Sequence, residues 1–261
     1  MRIFDTLAGA SQFAASRWRA AASQGREEEG RLWRFLGDST YFIHQTGQAY
    51  RFEDYLAEAP ASPAPRVSTG LTETSQRAPE LLLESLGETS GTAGEQPARV
   101  LVHLLSFIAD TGQLEAFEDY FNNRLEYTPL AIASFATRDE AEAWLEGLSK
   151  PPSPARILIG DEYYLFWHSR DDGTRDITRD YVLEPYLEEL VARGLPHTTP
   201  SFGNRAEAEA WLTNHPAAPF AFVSIRGERY LAVHHKRLKR HTLHPVASAL
   251  REWEEKKREG E

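Results

Sequence analysis

Along the first twenty-two residues the apolar positions Phe4, Leu7, Phe13, Ala14 and Trp18 fall at helical spacing among Asp5, Ser11, Gln12, Arg17 and Arg19. That pattern predicts an amphipathic first helix, and its polar interruptions do not suit a secretory signal. From Ala131 the pattern changes. Ala131 to Phe135 is a short apolar run of strand type, and Thr137 with Glu140 forms a capping box for a following helix. Ala141, Trp144, Leu145 and Leu148 share one face of that helix, Glu142 and Glu146 the other. Pro151, Pro152 and Pro154 end it. Ile157–Ile159, Gly160-Asp161 and Tyr163–Trp167 then read as a β-hairpin, and Asp172-Gly173 as a further turn ahead of Ile177. Leu183, Leu187, Leu190 and Val191 form the stripe of a second helix; Leu250 and Trp253 mark its later counterpart.

Two segments return along the chain. Phe135 to Leu145 recurs as Phe202 to Leu212 with eight of eleven residues identical, at an offset of 67 that continues to Gly160/Gly227, Tyr163/Tyr230 and His168/His235. Asn204 with Glu207 caps the second copy, and Trp144 and Trp211 are expected to be buried equivalents. In the amino-terminal half, Phe42-Ile43, Thr46-Gly47-Gln48 and Phe52-Glu53-Asp54-Tyr55 return 65 positions later as Phe107-Ile108, Thr111-Gly112-Gln113 and Phe117-Glu118-Asp119-Tyr120. The acidic pairs Glu53-Asp54 and Glu118-Asp119 are expected in the first turns of helices, where the dipole favours them.

The predicted fold class is α+β: tandem strand-helix-strand-strand units of 67 residues, sharing or stacking small mixed sheets, behind a helical amino-terminal region. The expected organisation is a helix and hairpin/helix region at 1–58, and a linker rich in Pro, Ser, Thr and Gly at 59–97. The second Thr-Gly-Gln segment follows at 98–126, then the two units at 127–197 and 198–261. One short helix, Pro79 to Leu83, is expected to interrupt the linker. The order of elements resembles the small β-α-β-β modules of the SPOR type, which bind denuded glycan strands. The Thr-Gly-Gln and Phe-Glu-Asp-Tyr segments with the Glu-Ala-Trp-Leu helices are similar to uncharacterised myxobacterial repeat proteins, a resemblance that implies a fold and no activity.

The chain has 261 residues, 29 Lys plus Arg, 39 Asp plus Glu and no cysteine, for a net charge of -10. Without cysteine there is no disulfide, thiolate nucleophile, Cys zinc site or iron–sulfur cluster. No apolar run reaches membrane-span length, so membrane insertion is not expected. Arginine far outnumbers lysine, and with abundant Ala, Pro and Gly the composition suggests a GC-rich bacterial genome and a cytoplasmic protein. There is no Gly-x-Ser-x-Gly elbow, phosphate-cradling Gly-Lys-Ser/Thr loop or His-Glu-x-x-His pair. No catalytic residue, metal or cofactor is predicted. Glu140 and Glu142 stand two apart on a helix and cannot share a proton.

His234 to His244 gathers four histidines with Lys236, Arg237, Lys239 and Arg240. A metal held by His234 or His235 with His241 and His244 is disfavoured by the adjacent cations. The 67-residue offset sets this segment opposite Asp171, Asp172 and Asp176, so equivalent loops carry opposite charge. Lys236, Arg237, Lys239, Arg240, His241, Asp171 and Asp172 are therefore the candidate contact residues for a partner. A protein partner is expected first, as for an immunity or antitoxin protein masking a basic toxin domain. Nucleic-acid or anion handling through 234–244, by a binding protein or an enzyme, comes second, and glycan binding third.

Overall fold

The computed structural model describes residues 2–59, 72–124, 128–196 and 198–259. The chain is α+β, with a helical unit to Arg124 and a unit of two small mixed sheets from Leu125. Pro60 to Pro65, the most linker-like stretch, lies outside the described residues.

The helical unit comprises α1 (Ile3–Ser23), α2 (Glu27–Gln45), α3 (Ala49–Glu58), α4 (Glu73–Thr89), α5 (Glu95–Asp110) and α6 (Leu114–Asn122). The two Thr-Gly-Gln segments are tight helix–helix corners rather than hairpins. Gly47 at φ 68° and Gly112 at φ 69° take the left-handed conformation that lets a helix end. Behind them Gln48 N–H donates to Ile43 C=O and Gln113 N–H to Ile108 C=O, both at 2.9 Å, the six-to-one bond of a Schellman ending. The two corners meet. Gln48 Nε2 donates to Gln113 Oε1 (2.7 Å) and Gln113 Nε2 to Gln48 Oε1 (2.8 Å). Each Nε2 also donates to the threonine two residues before it. Aromatic residues cross in the same reciprocal way. Phe52 and Tyr55 pack on Phe107 at 5.6 and 5.4 Å, while Phe117 and Tyr120 pack on Phe42 at 5.4 and 5.8 Å.

Two sequence expectations change here. Glu73–Thr89 is a helix of 17 residues with Pro79 inside it, not linker with a five-residue helix. A Thr72/Ser75 capping box starts it, and Ala78 and Leu82 are fully buried, so packing outweighs the propensity cost of Ser, Thr, Gly and Pro. The Glu53-Asp54 and Glu118-Asp119 pairs stand in second turns, not first. Glu118 is buried and accepts from Thr72 N–H and Oγ1 at 3.1 and 2.8 Å, holding the start of α4.

The second unit contains β1 (Ala131–Phe135), α7 (Arg138–Glu146), β2 (Ala155–Ile159), β3 (Glu162–His168), β4 (Arg175–Arg179) and α8 (Glu184–Arg193). There follow β5 (Ser201–Phe202), α9 (Arg205–Asn214), β6 (Phe220–Ile225), β7 (Glu228–His235), β8 (Arg240–Pro245) and α10 (Val246–Glu259). The sheets are separate, ordered β1-β2-β3-β4 and β5-β6-β7-β8, each with its first pair parallel and the rest antiparallel. Ala141 and Leu145 of α7 pack with Ile157, Phe166 and Ile177 on one face of the first sheet; Ala208 and Leu212 of α9 do the same with Val223, Ala232 and Leu243 on the second. The opposite faces stack on each other, joining Leu158 and Tyr163 to Leu231 and Val233, with Leu183, Leu187 and Val246 alongside. Trp144 and Trp211 are half-buried. They lie against Phe135 and Phe202 at 5.2 and 5.7 Å, while Leu145 and Leu212 fill the positions expected for them.

The gapless 67-residue offset fails in the strands. Tyr163 sits opposite Leu158 on the inter-sheet face, whereas Tyr230 sits opposite Val223 beneath α9. Tyr230 corresponds in position to Tyr164, and Leu243 to Ile177, each 66 residues apart. One residue fewer between helix and hairpin turns identical residues to opposite faces.

Replacing Gln48 or Gln113 singly by Ala should cost about 1–3 kcal/mol, because the remaining amide loses its partner. The double variant should cost clearly less than the sum, a coupling read from a urea-denaturation cycle. A fragment starting at Leu125 should melt cooperatively with a near-ultraviolet signal; aggregation would show that it needs the helical unit.

Candidate functional site

The segment singled out by its charge is the β7–β8 connection. A 3-10 turn, Lys236–Leu238, is followed by Lys239 in the left-handed conformation at φ 52°. The matching turn of the first sheet uses Gly173, at φ 71°. Strand alternation then sorts the side chains. His235, Arg240, Thr242 and His244 share the face of Leu231 and Val233, which meets the first sheet. His234 and His241 lie opposite each other on the other face, their rings stacked at 4.6 Å. The four histidines thus split into two pairs on opposite faces, unlike the metal set considered from sequence.

Arg240, half-buried, reaches the first sheet. It donates to Ser134 Oγ, to Gly160 C=O (3.3 Å) and to Asp161 Oδ1 (3.1 Å). Asp161 also accepts from Arg205 of α9 and from Leu243 N–H (3.2 Å), so one turn of the first sheet receives three donors from the second copy. Asp171 and Asp172 belong to the β3–β4 connection, at the other end of β3 from Asp161. With a rise of about 3.3 Å per residue, that is roughly 20 Å along the strand. Asp172 is engaged in its own turn, accepting from Thr174 N–H (3.0 Å) and Oγ1 (2.7 Å), bonds that hold its carboxyl below the usual range. Asp161 instead takes Arg205 and Arg240 as its basic partners. Asp161 was legible only as a turn residue, and Arg205 only as an identity within the copied helix. Of the remaining candidates, Arg237 and Lys239 are exposed, Lys236 and His241 half-buried. His241 Nε2 accepts from Ala217 N–H at 3.3 Å.

Beneath the hairpin runs a buried polar chain. Tyr163 OH donates to Pro129 C=O (3.0 Å) and lies 3.5 Å from His235 Nδ1. His235 Nε2 lies 2.9 Å from Thr242 Oγ1, which lies 2.8 Å from His244 Nε2. With the tyrosine proton on Pro129, one assignment uses every contact: His244 Nε2–H to Thr242, Thr242 O–H to His235 Nε2, His235 Nδ1–H to Tyr163. Both imidazoles are then neutral. Burial, then the neighbouring His244, holds His235 down to about 3. Burial holds His244 to about 4 against the opposing pull of Asp161. Burial and then His234 hold His241 to about 4. This chain joins the two sheets by hydrogen bonds and keeps the imidazoles uncharged at neutral pH.

Because these folded-state values lie below the ordinary imidazole value of about 6.5, the unfolded chain binds more protons in between. The stabilisation is complete above that value and is lost as pH falls toward 4. The melting temperature should therefore fall between pH 6.5 and 4. Imidazole resonances of His235 and His244 should stay unshifted from pH 7 to 6; a midpoint near 6.5 for either would contradict the buried chain. Comparisons with protein-family models, with curated proteins and with solved structures gave no match to this chain.

Proposed function

We propose that the chain is a non-enzymatic binding protein that recognises another protein through the tip of the β7–β8 hairpin. Lys239 carries the reading. A non-glycine residue in the left-handed region costs about 1–2 kcal/mol, and the matching position of the first sheet is Gly173. A lysine kept at that cost, two residues from the exposed Arg237, supports a use for its charge outside the fold. The support beneath is fixed, since Arg240, His235 and Thr242 are hydrogen-bonded into the inter-sheet contact. A preorganised basic tip suits an acidic patch on a partner, because little freedom is lost on contact. An immunity- or antitoxin-type partnership is compatible with the chain's net charge of -10.

Lys239→Gly separates the two roles. With the tagged full chain as bait, this variant should melt at or above the wild-type temperature, because the backbone strain is relieved, yet capture less partner. Arg237→Glu should weaken capture further, and wild-type capture should fall steeply with salt. Undiminished capture of a protein partner by both variants would sink the reading. Lost retention on nucleic acid with protein capture intact would favour anion handling by the same tip.

A further inference from the structure

The helical unit carries a cluster of arginine and aromatic side chains outside the proposed protein-binding tip. Arg31, Arg34, Asp38 and Tyr41 stand three or four residues apart on α2, so they share one stripe about 15 Å long at 1.5 Å per residue. α6 contributes Phe121 and Asn122 beside it, with Arg124 just past its end. Arg31 donates to Asn122 Oδ1 (3.3 Å), and its guanidinium lies 6.0 Å from the Phe121 ring centre. The Arg124 guanidinium lies 5.9 Å from the ring centre of Tyr41, a residue 49% exposed.

Asp38 contrasts with its surroundings. Its side chain is 6% exposed; Oδ1 accepts from Arg124 at 2.8 Å, while Oδ2 has Arg34 Nε at 3.9 Å and no hydrogen bond. Burial pushes this carboxyl above its ordinary range in spite of Arg124 and Arg34. A buried acceptor left in this state calls for an explanation, and a donor supplied by a ligand is one. Arg31, Arg34 and Arg124 thus gather around the one buried carboxylate, Asp38, while the exposed Glu27, four residues before Arg31, adds a second acid at the end of the stripe. Nearby acids are engaged elsewhere: Glu28 with Arg77, Glu29 with Arg26 and Trp33 Nε1, Asp119 with Asn123.

We propose that this stripe is a binding site for single-stranded nucleic acid. Arg31, Arg34 and Arg124 meet successive phosphates, and an unstacked base lies on the open face of Tyr41. An N–H of that base reaches Asp38 Oδ2 when Arg34 turns to a phosphate. Cations lodged against aromatic rings favour this ligand over a free phosphate or a run of acidic side chains, neither of which has a flat ring to place on Tyr41. The site lies in a different unit from the β7–β8 tip and does not depend on it.

The test is the anisotropy of a fluorescein-labelled single-stranded oligonucleotide titrated with the full chain. Saturable binding at about 20 mM salt is expected, with log K falling against log salt at a slope near -2, about 0.7 per phosphate for three contacts. Tyr41→Ala and Arg34→Glu should each weaken binding roughly tenfold. Both side chains are about half exposed, and circular dichroism checks that the variants fold. Lys239→Gly should leave binding unchanged. Inorganic phosphate at millimolar concentration should not compete. No saturable binding at low salt would overturn the proposal, as would binding indifferent to Tyr41→Ala and Arg34→Glu or binding lost on Lys239→Gly.

Discussion

Each four-stranded sheet has two apolar faces, and the helix between its first two strands covers only one of them. α7 closes one face of the first sheet and α9 the matching face of the second, which leaves Leu158 and Tyr163 on one side and Leu231 and Val233 on the other. Left in water these faces would forfeit about 1.5–3 kcal/mol for each large side chain. Stacking them is the economical solution, and it fixes where every polar residue of β7 and β8 must go. Those on the buried face need partners. Arg240 finds Asp161, and His235, Thr242 and His244 complete one another's hydrogen bonds.

The same constraint acts in the helical unit with different means. A corner of one long and one short helix cannot enclose its own aromatic residues, so the short helix of each corner lends Phe and Tyr to the long helix of the other. At the centre of that exchange two amides meet, Gln48 buried and Gln113 half-buried, and glutamine satisfies both by reciprocal donation. One partner alone would leave buried donors and acceptors unmet, so the pair functions only as a pair.

Burial also decides which charges are left to act. Residues rich in chemistry by type, His235, His244 and Arg240 above all, are used up in holding the sheets together. What stands outside is a basic tip with a lysine in a backbone conformation suited to glycine, and a stripe of arginines around an exposed tyrosine. Among the described residues no single helix is long and apolar enough to cross a membrane. The bent pair α5 and α6, apolar enough to raise the question, is core of the helical unit.

Local signals settled the elements. Helix caps at Thr137 and Asn204, the Gly160-Asp161 turn and the helical stripe of Leu183 and Leu187 could be read directly, because caps, turns and periodicity are interactions between neighbours in the chain. The α+β class followed from them. Contacts decided the rest. Helix α4 forms from a segment of linker-like composition because Ala78 and Leu82 are buried and Glu118 holds its start. The strands of the second copy turn by one residue, which places Tyr163 and Tyr230 on opposite faces despite their identity. Arg240 goes to Asp161 rather than to the acidic loop. No local pattern carries that choice, since the two residues stand 79 apart in sequence and meet only because two sheets share a buried face.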